Sequence, residues 1–243
     1  MMDNGVLDRL FDKYGINDID RKEILNIIGC IYRHDEFKRR LSNEFLHHSD
    51  ITLGEHILED TIMTYILSKK YMKRKNSNKK YRLDISLKIA MLHDLYTLPW
   101  QNNPENKSNK FFHKHGFRHP IEAVINAINW YPELFINEDD SKMIIDGIIH
   151  HMYPLPVACF KNYDSNKLEL KNYDLIKSLS LGRVELIIWS SNRRKVGSVS
   201  LCRSKYREGR IMSKADKLVS THQIKNVSSA KALVTGKNKM LKK

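Results

Sequence analysis

Residues 85–96 of the chain read ISLKIAMLHDLY and form the most apolar helical stretch in the sequence. A helix this apolar is typical of the centre of a fold, where it is covered by its neighbours. The stretch ends in an adjacent histidine and aspartate, His93 and Asp94. A buried imidazole or carboxylate needs a polar partner, and a metal ion is one such partner. The doublet therefore marks a candidate site in the predicted core.

Further helices are predicted on both sides of this stretch. Their apolar residues recur at helical spacing in 6–14, 21–32, 34–45, 53–71, 121–130, 137–151 and 211–220. Asp20 and Asp84 are candidate N-caps for the helices that follow them. Thr52 and Glu55 have the spacing of a capping box, and Pro120 suits the first turn of a helix.

One segment has a different pattern. The runs 184–189 and 196–202 are apolar or β-branched and flank a polar turn at 190–195, which predicts a β-hairpin. The sequence therefore predicts an all-α fold with a β-hairpin insertion near 184–202. We assign 1–222 to a single helical domain, with N-terminal helices in 1–46 and a metal-site core in 47–222. Residues 223–243 are polar and basic and are predicted to form a C-terminal tail.

Composition excludes several classes of protein. The 243 residues include 41% hydrophobic side chains, with only 10 Gly and 6 Pro, which excludes a collagen-like or wholly disordered chain. Three cysteines, Cys30, Cys159 and Cys202, cannot form a disulfide framework and fit a reducing, cytoplasmic location. No apolar run approaches the roughly 18 residues of a membrane span, so no membrane partner is expected. The net charge of +14 favours anionic partners, although a lysine-rich composition alone could account for the surface charge.

Histidines and aspartates recur on or at the ends of successive predicted helices. They are His56, His93, Asp94, His119, His151 and Asp216. A single histidine on such a helix is usually a packed core residue, but the order H…HD…H…H…D is a stronger signal than any one member. Imidazole and carboxylate donors without thiolates suit manganese, iron, zinc and similar divalent ions.

Two adjacent histidines, His150 and His151, compete for one position in this order. Neighbouring residues on a helix point about 100° apart, so both cannot face one pair of ions. Ile144 and Ile148 mark the apolar side, and His151 lies three residues after Ile148. The spacing therefore selects His151.

Five segments together carry a resemblance to a known family. They are HHSDITLGEHI at 47–57, MLHDLYTLPW at 91–100, HGFRHPIEAVINA at 115–127, IIHHMYPL at 148–155 and SKADKLVS at 213–220. The chain resembles HD-domain metal-dependent phosphohydrolases, and most of all a group of small bacterial HD-domain proteins. The resemblance implies a helical HD fold and a two-metal site.

The resemblance also implies a role for each matched residue. His56, His93 and Asp216 would hold one ion, His119 and His151 the other, and Asp94 would bridge them. A bridging hydroxide would attack phosphorus. His115 and His48 would bind phosphate or protonate the leaving oxygen, while Arg118 and Lys217 are candidate phosphate contacts. The ions would be manganese, iron or another transition metal; magnesium, nickel, cobalt and zinc are also compatible.

The sequence departs from the family pattern in two places. The interval between His151 and Asp216 is longer than in the group, which leaves Asp174 and Glu185 as alternative ligands. Leu95, Tyr96 and Thr97 follow the doublet, where relatives specific for cyclic-di-GMP carry Gly-Lys; this argues against that substrate. Basic residues in the long interval would select anionic substrates; they are Arg183, Arg193, Arg194, Lys195, Arg203, Lys205, Arg207 and Arg210.

Three functions follow as hypotheses. The first is a phosphohydrolase or phosphodiesterase that acts on a nucleotide or cyclic dinucleotide through two metal ions. The second is an HD-type nuclease that acts on single-stranded nucleic acid. The third is a basic module that binds nucleic acid or nucleotide without catalysis and whose histidines are structural. Metal content separates the third hypothesis from the other two.

Overall fold

The fold is built almost entirely from helices. The computed structural model describes residues 5–48, 50–75, 81–99, 102–103, 107, 114–154, 157–158, 195–196, 199–200 and 203–234. Its α-helices are α1 (Gly5–Lys13), α2 (Asp18–Tyr32), α3 (Asp35–Arg40), α4 (Leu53–Lys75), α5 (Leu83–Leu92), α6 (His115–Trp130), α7 (Glu138–Ile149) and α8 (Arg207–Val234). Short 3₁₀ helices cover Asn43–Phe45 and Pro132–Phe135. The predicted all-α class is confirmed.

Side chains at the helix starts explain where several helices begin. The backbone N–H of Glu55 donates to the Thr52 hydroxyl at 3.2 Å, as the predicted capping box requires. The predicted cap Asp20 is wrong: the side chain of Asn17 accepts from the backbone N–H of Asp20, and α2 begins at Asp18. Asp84 is also not a cap. It lies in the first turn of α5, where its carboxylate pairs with the guanidinium of Arg82 at 2.8 Å.

Helix α6 begins earlier than the sequence pattern predicts. It starts at His115, so Pro120 lies inside the helix rather than in its first turn. His115, Arg118 and His119 all point into the fold and are buried. Because polar residues occupy buried positions here, the apolar periodicity that marks a helix is lost over its first turns.

The central helix is α5, which packs against α2, α4, α7 and α8. Ile89, Met91 and Leu92 are fully buried, as predicted for this stretch. Helices α7 and α8 meet through glycines: a Cβ on Gly209 would lie 2.7 Å from the Cα of Gly147. This close approach brings the end of α7 against the side of α8.

Helices α4 and α8 form an antiparallel pair. Near the start of α4, His56 and Glu59 contact Gln223 of α8. Near its end, Lys70 and Tyr71 line a hollow together with the first turns of α8. Helix α8 continues to Val234, past the predicted helix end at 220, because no glycine follows Gly209 before Gly236. The side chain of Gln223, assigned by sequence to the tail, belongs to the packed interior.

Short strands complete the described structure. β1 (Leu46–His48) pairs with β2 (Ile51–Thr52) in an antiparallel ladder. β3 (Val157–Ala158), β4 (Lys195–Val196) and β5 (Val199–Ser200) form a second antiparallel sheet in the order β3-β5-β4. Lys195 was predicted in the turn of the hairpin but lies in β4. β4 and β5 are separated only by residues 197–198, which fall within the predicted second strand. The predicted first strand, 184–189, lies outside the described residues.

Among the helices that the structure describes, none is both long enough and apolar enough to cross a bilayer.

Candidate metal centre

Imidazoles and carboxylates from five parts of the fold converge in the interior. His56 lies on α4, His93 and Asp94 follow the last residue of α5, His119 lies on α6, His151 follows α7, and Asp216 lies on α8. All six are among the residues that the sequence pattern selected. His56, His93 and His151 are almost fully buried, and the side chain of Asp216 is 13% exposed. The structure brings the complete predicted set together.

The carboxylate of Asp94 lies at the middle of the group. Its Oδ2 lies 3.8 Å from Nε2 of His56 and 3.7 Å from Nε2 of His93. Its Oδ1 lies 3.2 Å from Nε2 of His119 and 3.5 Å from Nε2 of His151. Each oxygen therefore faces a different pair of imidazole nitrogens. A carboxylate placed in this way can join two adjacent cation sites.

A further carboxylate, Asp60, belongs to the centre and was not selected by sequence. It lies one helical turn after His56 on α4, and its Oδ2 lies 3.1 Å from Nε2 of His56 and 3.3 Å from Nε2 of His93. The side chain is fully buried, and neither of its oxygens accepts a hydrogen bond from the described residues. A buried carboxylate without hydrogen-bond donors is costly unless a cation neutralises it.

Geometry alone groups these residues as candidate ligands. One atom each from His56, Asp60, His93 and Asp216 lie within 4.8 Å of one another, and the same holds for His93, Asp94 and His151. The first group offers two nitrogens and two carboxylate oxygens, a donor set that suits divalent transition metals. These buried groups could therefore hold a metal ion.

The ring orientations of three histidines are fixed by contacts on the far side of each imidazole. Nδ1 of His93 lies 2.8 Å from the carbonyl oxygen of Ala90, and Nδ1 of His151 lies 2.7 Å from that of Ile148. Nδ1 of His56 lies 3.1 Å from Oε1 of Gln223. Each Nδ1 thus donates to an oxygen, so Nε2 is the ring nitrogen directed at the centre and the one available to an ion. Such outer hydrogen bonds orient histidine ligands in metal sites.

The charges within the centre shift its pKa values strongly. Burial opposes protonation of His93, but the carboxylates of Asp94 and Asp60 outweigh it and raise the pKa of His93 to about 10. Burial raises the pKa of Asp94, but the surrounding histidines, His93 first, lower it well below its usual value. Burial and the neighbouring Asp60 raise the pKa of Asp216 to about 6. Three carboxylates therefore attract positive charge to this point, which a metal cation would also supply.

The predicted catalytic histidine His115 lies beside the centre. Its ring packs edge-on against Tyr96 and lies 5.6 Å from the ring of His119, centroid to centroid. Burial and the neighbouring His119 lower the pKa of His115 to about 3, so the imidazole is neutral at neutral pH. Nδ1 lies 2.9 Å from the amide nitrogen of Asn103 and accepts from it, so Nε2 carries the proton. A neutral ring of this kind can donate a hydrogen bond but holds no additional proton to release.

His47, which the sequence did not select, lies beside the centre. The side chain of His48 lies outside the described part of the structure, whereas the ring of His47 stacks on that of His56 at 4.2 Å. Nδ1 of His47 also lies 3.2 Å from the hydroxyl of Tyr96. The signal that could have identified His47 is the doublet itself, since adjacent residues of a strand point to opposite sides.

The two predicted phosphate contacts differ in their surroundings. Arg118 is buried and precedes His119 on α6. The ammonium group of Lys217 donates to the carbonyl oxygens of His151 and Ser213 at 3.0 and 2.8 Å. Burial lowers the pKa of Lys217. The structure therefore shows Lys217 bound to the backbone of His151, rather than directed towards a phosphate.

The competing residue His150 does not join the centre. His150 is buried, but its Nδ1 faces Asp146, at 2.9 Å from the carbonyl oxygen and 3.3 Å from Oδ1. The structure thus agrees with the choice of His151. Asp174 and Glu185 lie outside the described residues, so their positions are not compared.

Comparisons of the chain with protein-family models, with curated proteins and with solved structures found no match.

Proposed function

We propose that this protein is a metal-dependent phosphohydrolase of the HD type that cleaves a phosphoester through two metal ions. The observation that carries the proposal is the position of Asp94, whose two carboxylate oxygens face two different pairs of imidazole nitrogens. A packed structural carboxylate would need hydrogen-bond donors, whereas Oδ1 of Asp94 is buried and makes no hydrogen bond within the described structure.

The donor set divides into two neighbouring sites. His56, Asp60, His93 and Asp216 would hold one ion, and His119 with His151 would hold the other. Asp94 would serve both. Nε2 of His119 and Nε2 of His151 lie 3.1 Å apart, within hydrogen-bond distance, so both imidazoles reach one point where they could bind a shared cation. Nitrogen and oxygen donors without thiolate favour manganese or iron among the common ions.

Two ions held here would supply a hydroxide nucleophile near neutral pH and would neutralise the charge of the phosphoryl oxygens. The protein groups have complementary roles. His115, neutral and adjacent to His119, would donate a hydrogen bond to a phosphoryl oxygen from Nε2. Arg118 precedes His119 and would add a positive charge beside the substrate. His47 and Gln223 hold His56 in position on the opposite side of the centre.

A nucleotide or cyclic dinucleotide is the substrate class proposed first, and single-stranded nucleic acid is the alternative. The net charge of +14 suits both. A non-enzymatic binding module would not require a buried carboxylate that lacks hydrogen-bond donors, as Asp60 does. The location of the protein in the cell is proposed to be cytoplasmic.

The proposal is tested by metal analysis followed by a substrate panel. Protein purified without chelators should contain close to two transition-metal ions per chain by elemental analysis. It should hydrolyse at least one of a nucleoside monophosphate, a cyclic dinucleotide, a small chromogenic phosphodiester, single-stranded DNA and single-stranded RNA. The His150→Ala variant is the matched control, because it removes a buried histidine outside the centre. Protein without bound metal after loading with Mn²⁺ or Fe²⁺, and inactive on every substrate, would contradict the proposal.

A further inference from the structure

A groove lined by cations runs along the first turns of α8, from the end of α4 towards the metal centre. Two adjoining hollows form it, with volumes of about 360 and 280 Å³. They share Arg203, Arg210 and Lys214, so they are continuous. Their linings contain no aspartate or glutamate. We name this surface the basic groove, and its six principal cations are Lys70, Arg74, Arg203, Arg207, Arg210 and Lys214.

These cations differ from several nearby basic residues that form ion pairs. Lys69, the residue before Lys70, pairs with Glu23 at 3.0 Å, and Arg82 pairs with Asp84 and Asp140. Within the residues that the structure describes, none of the six groove cations forms an ion pair with a carboxylate. Like charges gathered in this way repel one another, and an anion bound between them would remove that repulsion.

The positions of the cations on α8 form a stripe. Arg207, Arg210 and Lys214 are spaced by three and four residues, so they lie on one face of the helix. The guanidinium of Arg207 lies over the ring of Tyr71, 5.2 Å from its centroid, and this contact holds it across the groove. Nε of Arg210 donates to the carbonyl oxygen of Ser204, which restrains this side chain as well.

Aromatic surface accompanies the charge. Tyr153 lines the second hollow and is 39% exposed, one of few large hydrophobic side chains exposed to this degree among the described residues. A lipid headgroup or an inorganic polyphosphate has no aromatic ring that could stack on Tyr153, whereas an unpaired base does. From Arg207 to the level of Lys217 the groove follows about 15 Å of helix, which suits a polymer with charges at intervals.

We infer that the basic groove binds single-stranded nucleic acid, with its phosphates on the groove cations and a base on Tyr153. The first hollow is separate from the metal centre, since Arg207 lies nine residues from Asp216 on α8, a distance of about 14 Å along the helix. The second hollow reaches His150 and Lys217, which are the sequence neighbours of two proposed ligands. This inference does not depend on hydrolysis, and it stands or fails with binding measured in the presence of a chelator.

The test measures binding of a fluorescent single strand of about ten nucleotides by anisotropy, over a series of salt concentrations. The triple variant Arg74→Gln, Arg207→Gln, Lys214→Gln should bind at least about tenfold more weakly. The slope of log affinity against log salt should fall by about two, since each lost phosphate contact contributes about 0.7. The matched control removes the same charge elsewhere through Lys22→Gln, Lys38→Gln and Lys142→Gln, and it should bind nearly as the wild type does.

A second pair of variants tests the aromatic contact. Tyr153→Ala should weaken binding by about tenfold with an unchanged salt slope, and Tyr153→Phe should bind as the wild type does. Several results would overturn the inference. They are absence of binding by the wild type, equal losses in the two triple variants, displacement of the strand by equimolar tripolyphosphate, and stronger binding to vesicles of phosphatidylserine than to the strand.

Discussion

The two ends of the α4–α8 pair present opposite kinds of electrostatic site on the same two helices. At one end, His56 and Asp60 of α4 meet Asp216 of α8, and the side chains are buried with a surplus of carboxylate. At the other end, Lys70 and Arg74 of α4 meet Arg207 of α8, and the side chains reach solvent without carboxylates. An antiparallel helix pair can thus carry a cation site and an anion surface about 14 Å apart.

The two ends differ in how strongly neighbouring charges affect one another. Buried charges have low dielectric surroundings, so each member of the acidic end strongly affects its neighbours. Exposed charges are screened by water and salt, so the cations of the basic groove act nearly independently. We therefore expect single substitutions to have large and coupled effects at the metal centre and graded effects in the groove.

The largest effect is expected from a substitution of Asp94, because both proposed ion sites of the metal centre share its carboxylate. Asp94→Ala should lower hydrolysis by at least about a thousandfold, the scale of losing one preorganised electrostatic group. It should also lower the metal content, because no neighbouring side chain can replace a carboxylate that faces four imidazoles. Elemental analysis and activity are the measurements, with circular dichroism to show that the variant remains helical. Unchanged metal stoichiometry would refute the two-ion assignment.

The adjacent histidines provide a comparison within one turn of chain. His151→Ala should lose one of two ions and about a hundredfold in kcat, because the second ion stabilises charge that develops in the transition state. His150→Ala removes an equally buried ring that contacts Asp146 instead, so it should retain both ions. Metal content and kcat of the two variants decide between them. If His150→Ala were the more damaging change, the ligand set would have to be rebuilt.

Asp60 distinguishes a ligand from an ordinary buried carboxylate. Asp60→Asn should weaken the affinity for one ion by at least about tenfold, the lower range for groups around a metal site. Asp146→Asn is the control, because Asp146 is buried too but accepts hydrogen bonds from the hydroxyl of Ser204 and the backbone of Lys205. It should retain both ions and lose about 1–3 kcal/mol of unfolding free energy. Equal metal loss in both variants would show that the effect reflects general instability.

The smallest expected effect is a proton released when an ion is bound. Burial lowers the pKa of His93, but the carboxylates of Asp94 and Asp60 outweigh it and raise this pKa to about 10. The imidazole is therefore protonated on both nitrogens at pH 8 when no ion is present. An ion binds neutral imidazole, so loading Mn²⁺ at pH 8 should release about one proton from His93. Calorimetric titrations in two buffers of different ionisation enthalpy measure the number. Identical heats in both buffers would show that His93 is already neutral.

Much of the acidic end could be predicted from the sequence because its residues interrupt apolar helices. His93 and Asp94 close the most apolar stretch, and a polar doublet at that point has few uses other than a buried site. His151 could be selected by its spacing from Ile148. The helical class followed from the same periodicity, and the capping box at Thr52 located the start of α4.

Asp60 could not be found in the same way. It follows Glu59 in an acidic, amphipathic segment, and both residues are buried. Only their contacts show that Asp60 faces His56 and His93 while Glu59 binds Lys13, Tyr14 and Gln223. The start of α6 was missed because His115 and His119 replace apolar residues on its buried side. The sequence selected Arg203, Arg207 and Arg210 of the basic groove as a cluster for anionic partners. It could not add Lys70 and Arg74, which lie far along the chain and meet Arg207 only through the antiparallel packing of α4 and α8.

Helices α4 and α8 are far apart in the sequence, so the metal centre can be completed only late in synthesis of the chain. His56 contacts Gln223 across 167 residues, so the centre is closed by the last described helix. Contacts of such separation form late because a long loop must close first. During synthesis, a chain that has not reached residue 207 presents His56, Asp60, His93 and Asp94 without Asp216 or the helix that covers them. Ion uptake would then report a chain in which α8 has been made, and the bound ion would in turn hold α4 to α8.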